Sequence, residues 1–190
     1  MATKPILRKL LDLGKDYYTT ADLEKIFGAR RESLLVALSR LVKKGEMVRL
    51  QKGLYQLAGI PLNVEKIASE IYQPSYISFE TALSKYGILS QIPYALTLAT
   101  PRRPKKMILQ ERLVEYRRLK KELFGDFSLQ NDGSYLASPE KALLDELYFI
   151  SKGRATIDLE ELDLGEIDRQ KLLEIAKKFP LPVQEMVRKI

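Results

Sequence analysis

The chain has 190 residues, 45% of them hydrophobic, and contains neither cysteine nor histidine. That excludes a disulfide framework, zinc sites built on thiolate or imidazole, and histidine-based acid–base catalysis. The net charge of +7 is uneven, with +6 on residues 1–59, +3 on 60–138 and −2 on 139–190, so a polyanionic partner is expected at the N-terminal part. No apolar run reaches transmembrane length and no signal-peptide segment opens the chain, so the expectation is a soluble cytoplasmic protein without a membrane partner.

Residues 5–13 predict an amphipathic helix with Pro5 in its opening turn and Ile6, Leu10 and Leu13 on its inner side. A second helix starts at Thr19, an N-cap with Asp22 three residues on and Tyr18 and Leu23 at hydrophobic-staple spacing. It stops at Phe27-Gly28. A third helix runs from about Arg30 to Lys44, burying a stripe of Leu34, Ala37, Leu38 and Leu41, with Gly45 as its C′ residue. Its outward face is expected to be Glu32, Val36, Ser39 and Lys43, flanked by Ser33 and Arg40. Residues 47–50 and 54–57 are β-prone runs around Gln51-Lys52-Gly53, a hairpin.

Helix, turn, helix and hairpin, with a basic second element and a basic hairpin tip, is the order of a winged helix-turn-helix. The start of such a recognition helix reaches base edges in the major groove. The candidate DNA-binding residues are Arg30, Arg31, Ser33, Ser39, Arg40, Lys43, Arg49 and Lys52. Arginine pairs bidentately with guanine and serine with several base edges, whereas Lys43, Arg49 and Lys52 are placed for phosphate. The expected partner is double-stranded DNA at the protein's own promoter. One small winged domain makes few phosphate contacts, so two copies on repeated half-sites are expected.

Ala58-Gly59-Ile60-Pro61 reads as a linker, which divides the chain into domains 1–59 and 60–190. Residues 64–72 predict a helix with Val64, Ile67, Ala68 and Ile71 inward. Ser78 is expected to cap another helix, ending at Tyr86-Gly87. Strands are expected over 94–100 and 106–109. Residues 113–119 suit a strand, although their Glu and Lys content also suits a helix. Asn131-Asp132-Gly133 marks a hairpin joining 127–130 to 134–137. Ser138-Pro139-Glu140 places an N-cap, an N1 proline and an N2 acid at the start of a helix to about Ile150. Further helices are expected over 158–163, 167–178 and 181–189. The fold class is α+β: a winged helix-turn-helix followed by a mixed domain with a small sheet and flanking helices.

Two basic clusters stand in the second half, Arg102-Arg103-Pro104-Lys105-Lys106 and Arg117, Arg118, Lys120 and Lys121. They read as solvated turn and strand edges, or as a surface for nucleic acid or an acidic protein. Glu140 and Asp145 come with no nucleophile, metal cluster or phosphate loop, so no enzyme, metal or cofactor is expected. Lys141 and Asp145, at i and i+4, read as an ordinary helix ion pair. Tyr72, Tyr76, Tyr86 and Tyr94 are expected in the core rather than as stacking platforms.

Tyr18-Thr19-Thr20-Ala21-Asp22-Leu23, Arg40 through Met47, and Lys52-Gly53-Leu54-Tyr55 are similar to the winged domain of the AbiEi-type antitoxin family of type IV toxin–antitoxin systems. Tyr76-Ile77-Ser78-Phe79-Glu80-Thr81-Ala82-Leu83 with Tyr86-Gly87 resembles its second-domain helix. Leu98-Ala99-Thr100-Pro101-Arg102-Arg103 resembles its strand and basic turn, and Ala137 through Asp145 its Pro-Glu-Lys-Ala-Leu helix start. The resemblance implies an autorepressor and antitoxin that counters a nucleotidyltransferase-type toxin. Arg102, Arg103, Lys105, Lys106, Arg117 and Arg118 are the candidate antitoxin surface. The alternative is a stand-alone winged-helix regulator whose second domain senses a ligand or a protein.

Overall fold

The structure, a computed structural model, describes residues 3–190, with side chains from Ile6 onward. They form two compact units. The first runs through Ile67 and includes Ile108–Glu111, and the second is Ala68–Met107 with Arg112–Ile190.

The first unit contains α1 (Thr3–Leu13), β1 (Tyr18–Thr19), α2 (Thr20–Phe27), α3 (Arg31–Lys43), β2 (Met47–Gln51) and β3 (Leu54–Leu57). Local chemistry accounts for most of it. Thr19 and Asp22 form a reciprocal capping box, in which the Thr19 Oγ1 accepts the Asp22 N–H at 3.1 Å and Asp22 accepts the Thr19 N–H at 3.0 Å. Gly28, at φ 58°, ends α2 in the left-handed conformation that a side chain disfavours. Leu34, Leu38 and Leu41 are buried, and with Leu10, Tyr18, Leu23, Met47, Tyr55 and Leu57 they form one core. Ala37 is only half-buried. Leu13, expected inward, is exposed, because α1 ends there and Gly14 turns the chain away. The buried Tyr18 hydroxyl donates to the Leu10 carbonyl at 2.5 Å, satisfying an oxygen in the last turn of α1.

The hairpin forms where Gly53 allows it, and β3 pairs antiparallel with both β2 and β1. Strand β1 is two residues long, too short to carry a pattern of its own. The three helices, the hairpin and this small sheet make the first unit a winged helix-turn-helix.

Helix α4 (Val64–Ile71) spans the division at Ile67 and leads into β4 (Tyr76–Ile77), α5 (Phe79–Lys85), β5 (Leu96–Thr100), β6 (Lys105–Leu109, its last two residues counted with the first unit), β7 (Arg112–Arg118), β8 (Phe127–Leu129) and β9 (Tyr135–Ala137). The sheet order is β6-β7-β5-β4-β9-β8, with β4 antiparallel to β5 and parallel to β9, and β5 parallel to β7. The stretch read as either strand or helix is thus strand, over Arg112–Arg118. The helices α6 (Pro139–Ile150), α7 (Arg169–Ala176) and α8 (Leu181–Lys189) follow. The helix expected over 158–163 is only a 3-10 turn, Leu159–Glu161, with no buried residue to hold it. Tyr94, expected in strand and core, precedes β5 and is 90% exposed. Tyr76 is fully buried, and Tyr72 and Tyr86 are half-buried.

Helix α6 begins as its sequence predicts, with Ser138 accepting the Lys141 N–H. Its environment differs from that of a half-exposed amphipathic helix: residues 140–149 are all buried. Lys141 and Asp145 are therefore not a surface pair. Asp145 is fully buried and accepts from Lys141 Nζ, from the Tyr76 hydroxyl at 3.0 Å and from the Ser78 hydroxyl at 2.8 Å. Ser78 stands at the N-cap of α5 but gives its hydroxyl to Asp145 rather than to the helix. Burial pushes the Asp145 carboxyl up and the Lys141 ammonium down, and each opposes the shift of the other.

Removing one member of a buried pair leaves a buried charge uncompensated, at about 3–5 kcal/mol. Asp145→Ala should cost the second unit that much, because it strands Lys141 and two hydroxyls together. Lys141→Met should cost less, since the carboxylate keeps its two hydroxyl donors. Urea denaturation of both variants checks the ranking, and a reversed order would show that Asp145 is not the hub.

Candidate functional site

All eight candidate DNA-binding residues are exposed. The structure brings five of them around one cleft of about 510 Å³ between α3 and the hairpin: Arg31, Ser39, Lys43, Arg49 and Lys52. Thr20, Leu35, Val42, Gly53 and Tyr55 complete its lining, and none of the described residues lining it is acidic. Arg30, Ser33 and Arg40 lie outside this cleft.

The side of α3 that meets the cleft is the i, i+4 row Arg31, Leu35, Ser39 and Lys43. Of the expected outward face, Ser39 and Lys43 line the cleft, whereas Glu32 and Val36 are exposed but do not. The Leu34/Leu38/Leu41 stripe leaves two exposed flanks, and only the position of the hairpin selects one. Leu35, 42% exposed and one turn beyond Arg31, is a cleft residue that sequence reasoning passed over, as are Thr20, Val42, Gly53 and Tyr55.

Two contacts set the geometry. Arg31 Nη1 lies 3.1 Å from Glu24 Oε1, so α2 holds the guanidinium at the start of α3. At the hairpin tip the Gly53 carbonyl accepts the Thr20 N–H at 2.9 Å, tying the turn that bears Lys52 to the first residue of α2. Gly53 has φ 81°, which β-branched or bulky residues avoid. The Asp22 carboxyl that caps this corner is held below its usual range. Burial opposes that shift, but the Thr19 backbone and hydroxyl bonds and the nearby Lys15 outweigh it.

The basic residues of the second unit are placed differently from one another. Arg102 and Lys105 gather over the ring of Tyr72, at 4.4 and 5.0 Å from its centroid, and the Tyr72 hydroxyl donates to the Arg103 carbonyl. Lys106 pairs with Glu115 at 2.5 Å. Arg118 is exposed at the end of β7. Arg117, expected on a free edge, is only 19% exposed and makes a two-pronged pair with Glu80 at 2.8 and 2.9 Å. It also lies 3.6 Å from Glu115 and 3.7 Å from Glu146. The reason is topological: β7 lies between β6 and β5 and is not an edge strand.

Glu146 sits behind this arginine, 1% exposed, with no hydrogen-bond partner for either carboxylate oxygen among the described residues. Its carboxyl is pushed up to about 8, first by burial and then by Glu80, against the pull of Arg117. Glu140 is engaged elsewhere, accepting from the Asp168 N–H and pairing with Lys171 at 2.6 Å, so Glu140 and Asp145 share no partner. Among the described residues no cluster of Asp and Glu is placed to hold a metal ion, and no helix is long and apolar enough to cross a membrane.

The helix order and the hairpin against α3 are those of the winged helix-turn-helix regulators. Residues 5–58 match the family described as transcriptional regulator, AbiEi antitoxin, so the N-terminal region is similar to that family. The match coincides with α1 through β3. No curated protein matches the chain.

Glu146 generates a pH dependence. Its folded-state pKa of about 8 stands above the ordinary 4.5, so the folded protein holds a proton that the unfolded chain has lost. Stability should therefore fall as pH rises from about 4.5 to about 8 and level off beyond. Glu146→Gln keeps the shape without the ionisation. It should flatten that slope and melt above wild type at alkaline pH. Melting temperatures across the range check this, and parallel curves for the two proteins would place the titration elsewhere.

Proposed function

We propose that the chain is a DNA-binding autorepressor and the antitoxin of a type IV toxin–antitoxin system, countering a nucleotidyltransferase-type toxin. Residues 1–59 act as the DNA-binding domain and 60–190 as the antitoxin domain. The observation that carries the DNA-binding half is the cleft: four cations, one hydroxyl-bearing α3 residue and no described acid between α3 and the hairpin. The family of residues 5–58 points the same way.

In this reading the start of α3 enters the major groove. Arg31 exchanges Glu24 for a guanine edge, and Ser33 and Ser39 meet neighbouring bases. Lys43, Arg49 and Lys52, with Arg30 and Arg40 at the flanks, meet phosphates and set the register. One unit supplies few such contacts, so two copies on repeated half-sites strengthen binding. The antitoxin half rests on the motifs from Tyr76 to Asp145. Its exposed candidate surface is Arg102, Arg103, Lys105, Lys106 and Arg118, and Arg117 supports that surface from within.

Arg31→Ala should weaken binding to the native promoter by about 1–3 kcal/mol, and should do so less on unrelated DNA. Lys52→Ala should weaken binding on all sequences and lower the slope of log affinity against log salt by about one. Titrations at several salt concentrations check both, and wild-type behaviour of both variants would sink the assignment. For the antitoxin half, the nucleotidyltransferase gene expected beside this one should arrest growth alone and not together with this chain. A neighbouring gene harmless without this chain would favour the ligand- or partner-sensing regulator.

A further inference from the structure

The second unit carries a cleft that the DNA-binding and antitoxin readings leave unused. Its volume is about 620 Å³, and it lies where β5 and β7 meet the loop before β5 and the 3-10 turn after α6. Two side chains at its rim have no structural reason to be there. Ile92 is 92% exposed and Tyr94 90% exposed, on either side of Pro93. A scattered surface leucine is ordinary, but two large apolar side chains at the mouth of one cleft mark an interaction site. Neither side chain covers the core, so folding draws nothing from them.

The charge of the lining identifies the occupant. Glu80, Glu115, Asp158 and Glu161 line the cleft with one cation, Arg117. That arginine is already spent on Glu80 and lies beside Glu115 and Glu146. The cleft is thus negative on a chain whose net charge is +7. A nucleic-acid backbone is repelled by such a lining, whereas a lysine or arginine is attracted to it. Because Ile92 and Tyr94 project outward instead of closing over the cleft, they suit a surface that seats against them rather than a small molecule swallowed by them. Tyrosine is also among the residues that anchor protein interfaces.

We infer that this cleft docks a protein partner through a segment in which a basic side chain is flanked by apolar ones. The basic group enters toward Asp158 and Glu161, and the apolar neighbours pack on Ile92 and Tyr94. The argument is charge complementarity together with the exposed apolar rim, and it holds whether or not the antitoxin reading does.

The full chain tests it with a fluorescein-labelled nonapeptide of alternating leucine and arginine, followed by fluorescence anisotropy. The control peptide has glutamate in place of arginine. The arginine peptide should bind and the glutamate peptide should not. Ile92→Ser with Tyr94→Ser should weaken binding by about tenfold, as expected for losing interface anchors, and Glu161→Lys should do so by a similar factor. All three positions are exposed, so unchanged melting curves should accompany these losses. The proposal is overturned if the arginine peptide does not bind, if the glutamate peptide binds equally, or if either variant binds like wild type. It is equally overturned if sedimentation finds a wild-type dimer that the Ile92→Ser, Tyr94→Ser variant converts to monomer, since the occupant would then be a second copy.

Discussion

A carboxylate without access to water orders the second unit. Asp145 lies on a helix buried on every side, and an isolated charge there would be prohibitively costly. Its three donors come from three places: Lys141 one turn earlier on α6, Tyr76 in β4, and Ser78 at the start of α5. Strand β4 has only two residues, too few to define its own place in a sheet. The hydroxyls of Tyr76 and of Ser78 just after it help to define it, because they must reach the carboxylate while the strand's backbone pairs with β5 and β9. The arrangement then fixes α5. The Ser78 carbonyl accepts from Thr97 at 2.8 Å, and the Thr81 hydroxyl accepts the Thr97 N–H at 2.9 Å. Between these tethers Phe79 takes φ 58°, a conformation costly for a bulky residue that persists only where its surroundings over-determine it.

That bend has a consequence one residue later. It accompanies the direction in which Glu80 leaves the chain, to meet Arg117 from β7 in a two-pronged pair. Arginine suits the position better than lysine, because its planar fork matches a carboxylate and its face rests 5.1 Å from the Phe79 ring. Three carboxylates nevertheless surround this one guanidinium. Glu80 and Glu115 are partly exposed, while Glu146 is sealed in. The group with the least water is the one that keeps its proton, which is why the shift falls on Glu146. The two hubs thus share α6 and solve the same problem differently, one by pairing and one by protonation.

The first unit was legible because its determinants are local. A capping box spans four residues, a left-handed glycine one, and the Leu34/Leu38/Leu41 stripe two turns. The second unit's elements were mostly legible for the same reason, including the hairpin at Asn131-Asp132-Gly133 and the α6 start. What escaped depends on partners far along the chain. Ser78 looks like a cap until Asp145, distant in sequence, claims its hydroxyl. Arg117 looks like an exposed edge until the strand order places β7 inside the sheet. Lys141 and Asp145 have the spacing of a surface pair, and spacing carries no information about what covers a helix. In the candidate DNA site, residue types and exposure were readable, but the flank of α3 facing the hairpin was not.

That flank is set by the corner where α2 begins. Thr19 and Asp22 fix the first turn of α2, Thr20 holds the Gly53 carbonyl, and Glu24 one turn later holds Arg31. A helix start therefore controls both sides of the cleft, the hairpin tip through one backbone hydrogen bond and the α3 start through one ion pair. The two controls differ in strength. The backbone bond is confined by the positive φ of Gly53 and the strand pairing behind it. The ion pair is exposed, with Arg31 66% accessible, so water and salt screen it. The hairpin tip is consequently the fixed wall of the cleft, and Arg31 is the side chain free to change partners. In the proposed DNA-binding reading, such a division of rigidity would supply a stationary phosphate contact and an exchangeable base contact.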